Sequence, residues 1–215
     1  MTLDFEPRRD VLMAFATPIA QIKVSAAAQI NPGLRRTILE REASTPGQTR
    51  SNVGGWHSAD DLLTWPEPEI AELARAMELA VQHMSAIATQ SKRVEISQTL
   101  RAWANVCRAG NYHALHNHAT YHWSGVYYVA AGTKVPGQPR SGVIQIQDPR
   151  GFAEMSGTPG NPFGRSIAVT PVAGILLVFP SWIYHWVDPY EGAGERISIA
   201  FNARVTSFKV LDKAG

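Results

Sequence analysis

Four of the seven histidines in this 215-residue chain fall within ten positions, as His113, His116, His118 and His122 in NYHALHNHATYHW. His116 and His118 are one residue apart. On a β-strand, side chains at i and i+2 leave the same face, so both imidazoles can converge on one metal ion. His113 has the opposite parity to His116 on a regular strand and is the weaker candidate. His122 is expected near the next strand, lining the pocket without ligating. A histidine-x-histidine pair alone is thin support for a metal, because clustered histidines are common in loops.

A second segment, GILLVFPSWIYHWVDPYEGAGERISIAFN, strengthens the case. An apolar strand runs into Phe179-Pro180, His185 follows, and after a turn a new strand opens with Arg196-Ile197-Ser198. Arg196 and Ser198 share one face of that strand. A cation and a hydroxyl on the inward face of an apolar barrel strand are costly to bury without a partner. A ligand carboxylate is such a partner, and the planar fork of arginine can meet both of its oxygens.

These residues need a scaffold, and the sequence predicts a mainly β one. From residue 93 onward, RVEISQTLRAWANV, SGVYYVAA, GVIQIQD, GRSIAVTP, GILLVFP and RISIAFNARV are rich in β-branched and aromatic residues. Turns such as GTKVPGQPRSG and SGTPGNPFG separate them. Six or more short strands without helical periodicity between them predict a sandwich or barrel. Segment 149–165 is expected as a surface loop near its mouth. Before residue 90, a short strand with a break at Thr17-Pro18 is expected within 11–24. A helix is expected over 32–43, with Asn31 as N-cap and Pro32 in its first position. SNVGGWHSADDLL reads as a turn leading to a helix start near Ser58. After Pro66, Ile70, Leu73, Met77, Val81, Met84 and Ala88 recur at three- and four-residue steps, the stripe of a helix packed on the main sheet. The expected organisation is a single domain, 1–215, with supporting elements in 1–90 and a β core in 91–208.

Composition sets bounds on partners. The chain is 45% hydrophobic and carries 20 basic and 18 acidic residues, for a formal charge of +2. No basic stripe points to nucleic acid, and no run of about 18 apolar residues points to a membrane span. The single cysteine, Cys107, excludes an intrachain disulfide, and no signal peptide is read, so a cytoplasmic location is expected.

The motifs NVGGW, W-x-N-V, H-x-H, SGVYYV, DPR, FPS-x-x-x-H and RISIAFN together resemble a group of small uncharacterised oxygenases. That group lies within the iron(II)/2-oxoglutarate-dependent oxygenase superfamily, and the resemblance covers roughly residues 10 to 205. It implies a double-stranded β-helix of jelly-roll or cupin-like form, with N-terminal helices packed on one sheet. It also implies Fe(II) and the co-substrate 2-oxoglutarate, with His116, His118 and His185 as metal ligands and catalytic centre. Arg196 and Ser198 then hold the distal carboxylate. Asn105 lies eleven residues before His116, as does a 2-oxoglutarate-contacting asparagine of the alkylation-repair branch. Tyr128 resembles a tyrosine of prolyl hydroxylases. Most of the superfamily has an acid where this chain has His118, and a third neutral imidazole leaves the ion one unit more positive. Three readings follow: a working three-histidine iron site, His118 standing outside the coordination sphere, or a metal site without oxygenase activity.

The remaining residues read more plainly. Trp103 and Trp123 are core or pocket wall. Asp148-Pro149-Arg150 and Asp188-Pro189 are turn chemistry, and Cys107 is a buried apolar thiol. The expected function is a 2-oxoglutarate-dependent dioxygenase that hydroxylates a small-molecule or protein substrate with release of succinate and CO2. One alternative is a cupin-like three-histidine metalloenzyme without 2-oxoglutarate, although ATYHWSG lacks the glutamate such sites carry. The other is a non-catalytic metal-binding β-barrel module. Substrate identity and oligomeric state have no signature in the sequence.

Overall fold

The computed structural model describes residues 4, 6–11, 14–151, 157, 159 and 164–213. Most of segment 149–165, the expected mouth loop, lies outside the described residues. The elements, in order, are α1 (Pro7–Asp10), β1 (Ala20–Lys23), α2 (Ala27–Ser44), β2 (Asn52–Val53) and β3 (Trp56–His57). A 3-10 turn at Leu62–Thr64 and α3 (Pro68–Ala88) follow, then β4 (Ser91–Cys107), β5 (Tyr112–His116), β6 (Trp123–Ala131) and β7 (Ile144–Gln147). The chain closes with β8 (Ser166–Val169), β9 (Ile175–Pro180), β10 (His185–Val187) and β11 (Arg196–Lys213).

Two antiparallel sheets face each other. The larger has the order β1-β9-β6-β11-β4-β3 and the smaller β2-β5-β10-β7-β8. This is the double-stranded β-helix, with α2 and α3 packed on the outer face of the larger sheet. Strand alternation separates two cores. Ala102, Ala104 and Val106 of β4 and Ile197 and Ile199 of β11 face the helices, where they meet Leu34, Ile38, Leu73 and Met77. Val126, Tyr128, Leu177 and Phe179 face the other way, onto Ile144, Ile146 and Val187 of the smaller sheet. The functional residues share this inner layer.

The N-terminal part departs from the local signals. Helix α2 begins five residues before the expected start, with Ala26 as N-cap, so Pro32 lies inside it. Asn31 is not a cap: its Oδ1 accepts a 2.6 Å hydrogen bond from the Tyr127 hydroxyl. Burial of Ile30, Leu34 and Ile38 holds the first turns despite the missing N–H of Pro32. No helix starts at Ser58. Its N–H donates to the Ala104 carbonyl, and its hydroxyl oxygen accepts from the Ala104 N–H, tying the segment to β4. The apolar stripe of α3 is buried from Ile70 to Met84, whereas Ala88 is exposed. Among the described residues, no helix is long and apolar enough to cross a membrane.

Candidate metal and co-substrate site

The inner face of the larger sheet brings the sequence candidates into register. Ser198 pairs with Asn105 on one side and Tyr128 on the other, so the three form a row across β4, β11 and β6. Arg196, beside Cys107, forms the row beneath. The smaller sheet supplies the histidines. His185 on β10 pairs with His116 on β5, and Val187 pairs with His113. Two steps on β10 therefore match three on β5, which is a bulge. The bulge overturns the parity expected for His113: it is buried and lines the same cavity as His116. His118 lies just past β5, where its N–H donates to the Ser181 carbonyl.

His116, His118 and His185 each offer one ring nitrogen, and the three nitrogens lie within 4.8 Å of one another. Three ligand atoms this close form a group that could hold one metal ion. Two of the rings have a fixed tautomer. His116 Nδ1 lies 2.7 Å from the Ala114 carbonyl and His185 Nδ1 lies 3.0 Å from that of Ile183. A carbonyl can only accept, so both Nδ1 atoms carry the proton and both Nε2 atoms present a lone pair, that of His116 within 3.3 Å of the Ser51 hydroxyl. All three rings are held neutral, as metal ligation requires. Burial pushes the pKa of His185 down to about 3, aided by the neighbouring His116. Burial, then His116, brings that of His118 to about 4, and burial also lowers that of His116.

The floor of the cavity fits an anion. Arg196 is 1% exposed, and among the described residues no carboxylate pairs with it. Its Nε donates to the Gly142 carbonyl at 3.1 Å, and its guanidinium lies 5.3 Å from the centre of the Tyr128 ring. A buried cation without a counter-charge is costly, and a ligand carboxylate removes that cost. Two further polar atoms point to the same ligand. Asn105 Oδ1 and the Tyr128 hydroxyl are buried without a hydrogen-bond partner, although such groups are nearly always paired. The phenol can donate to a carboxylate, and so can the Asn105 amide once turned.

Other residues fall outside this arrangement or were not legible in advance. His122 does not line the pocket; it is exposed, and its Nδ1 accepts from the Val205 N–H. Asp188 accepts from Arg140, Gln145 and Trp186, which commits its carboxylate to the turn. Trp123 is core, with its indole N–H donating to the Ser85 hydroxyl, whereas Trp103 is pocket wall. Ser51 and His57 were missed. Ser51 Oγ lies 3.3 Å from His116 Nε2, and the His57 ring stacks on Trp103 at 5.5 Å. Their signal was the Gly54-Gly55 pair. Both glycines have positive φ, and a Cβ on Gly55 would stand 2.7 Å from the Val106 carbonyl, so this turn can cross from the smaller sheet to the larger.

Residues 101–202 match the family described as "Putative 2OG-Fe(II) oxygenase". No curated protein matches the sequence. Among solved structures, a Pseudomonas putida prolyl-4-hydroxylase is similar with a TM-score of 0.60 at 17% identity, covering 89% of this chain and 95% of that one. A Trichoplax adhaerens prolyl hydroxylase, in complex with a hypoxia inducible factor peptide fragment, gives 0.58 at 14%, covering 88% and 84%. HygX from Streptomyces hygroscopicus, with nickel and 2-oxoglutarate bound, gives 0.57 at 12%, covering 88% and 83%. At these identities the structures show a shared fold. The family match covers residues 101–202, just under half of the chain.

Proposed function

We propose that this protein is a working 2OG-Fe(II) dioxygenase in which His116, His118 and His185 hold Fe(II) and Arg196 anchors 2-oxoglutarate. The observation that carries this reading is the pairing of three convergent neutral imidazoles with a buried, unneutralised arginine in one cavity. With the metal and co-substrate bound, the chemistry supplied is the oxygen-dependent hydroxylation of a substrate C–H bond, coupled to conversion of 2-oxoglutarate and O2 into succinate and CO2. The chain's own residues bind and orient. His116 and His185 present Nε2 because their Nδ1 protons are committed to backbone carbonyls. Arg196 and Ser198 receive the distal carboxylate, and Tyr128 and Asn105 offer the remaining polar contacts. The apolar wall of Val126, Ile144 and Phe179 keeps water from the reacting centre. The substrate is a small molecule or a protein segment reaching the cavity mouth.

Anaerobic titration of 2-oxoglutarate into the Fe(II)-loaded protein tests the reading. A metal-to-ligand charge-transfer band should appear and saturate. The Arg196→Ala variant should need at least tenfold more 2-oxoglutarate while binding Fe(II) as the wild type does. Absence of the band from a protein that binds Fe(II) would instead favour a three-histidine metalloenzyme that does not use 2-oxoglutarate. Equal loss of Fe(II) in Arg196→Ala would make Arg196 a structural residue.

A further inference from the structure

The three histidines are not held alike. His116 and His185 are each fixed by a backbone carbonyl at Nδ1. Among the described residues, the His118 imidazole makes no hydrogen bond; only its backbone is tied, to Ser181 and to Tyr121. What touches the ring is aromatic. Its centre lies 5.9 Å from that of Trp103, with the planes inclined at 59°. Trp103 in turn lies 5.5 Å from His57 at an interplanar angle of 12°. His57 is 3% exposed, and its Nδ1 lies 2.6 Å from the Ser58 carbonyl. It is therefore a fixed base for the ladder. Both spacings fall in the range where aromatic rings attract one another.

We propose that Trp103, braced by His57, is the positioning residue of His118, taking the place of the hydrogen bond that the other two ligands have. This rests on His118 being a metal ligand. A carboxylate at that position would be steered through its oxygens, but an imidazole must also be turned about its ring axis to aim a nitrogen. An indole packed at a tilt against the ring restricts that rotation without competing for the lone pair. Trp103 is part-exposed and lines the same cavity as the three histidines.

Cobalt(II) binding, followed by visible spectroscopy and competition with a chelator, tests the assignment without turnover. Trp103→Leu should weaken Co(II) binding about tenfold, and its spectrum should approach that of His118→Ala. Trp103→Phe should restore both. In the double variant Trp103→Leu/His118→Ala, affinity should equal that of His118→Ala alone, because the ring to be positioned is gone. Wild-type affinity and spectrum in Trp103→Leu would overturn the proposal, as would additive losses in the double variant. Should Trp103→Leu fail to fold, His57→Leu removes the brace but keeps the indole. It should shift the Co(II) spectrum in the same direction, and an unchanged spectrum would overturn the proposal. A wild-type protein that binds no Co(II) would defeat the metal reading itself, a result distinct from any of these.

Discussion

His113 and His185 each have a pKa pushed down to about 3, in both cases by burial first. For His113 the Arg196 charge adds to the effect, and for His185 the neighbouring His116 ring, which would repel a second proton, does so. Their unfolded value is near 6.5, so between pH 6.5 and about 3 the unfolded chain binds more protons than the folded one. Stability is then full above pH 6.5 and is lost as the pH falls through that window, by roughly 1.4 kcal/mol per pH unit for each group. Urea unfolding of the metal-free protein at pH 7, 6 and 5 should show this slope. His113→Phe should flatten it by about one proton's share. An unchanged slope in that variant would mean that His113 is protonated in the fold. At this scale the sequence was informative where chemistry forces association. Arg196, Ser198 and His185 could be grouped because a buried cation needs an anion. His113 could not, since its direction depends on one extra residue in β5.

At the scale of elements, β6 shows how tightly the inner layer is set. Gly125 has no room for a side chain: an added Cβ would stand 2.3 Å from the Phe201 ring and 2.6 Å from the Leu177 carbonyl. Gly125→Ala should therefore push β6 away from β9 and β11 and lower stability by about 1–3 kcal/mol, measurable by chemical denaturation. A neutral substitution would mean that these strands separate freely. The long strands β4, β6, β9 and β11 were legible because their β-branched and aromatic runs have no competing period. Strands β2, β3 and β10, of two or three residues each, carry no periodic signal and exist only through pairing with neighbours. The expected helix start near Ser58 failed for the same reason. The serine that would cap a helix bonds instead to Ala104, a partner 46 residues away.

For the whole molecule, the helices cover the outer face of the larger sheet, and the inter-sheet cavity on its other face holds the three histidines and Arg196. If the site takes 2-oxoglutarate, a concentration 100 times its dissociation constant should stabilise the metal-loaded protein by about 2.7 kcal/mol. Anaerobic thermal unfolding should show that shift, and His185→Ala should abolish it. No shift in the wild type would contradict a specific co-substrate site. The sequence by itself determined the β architecture, the helical stripe of α3 and the residue types of the site, since composition and period act locally. Only the tertiary structure decided which side chains meet. It turned His113 inward through a bulge, set Ser51 beside His116 and His57 against Trp103 on either side of a two-glycine crossing, and left Asn105 and Tyr128 with unpaired polar atoms beside Arg196. Those outcomes depend on contacts between residues tens of positions apart, which no local pattern encodes.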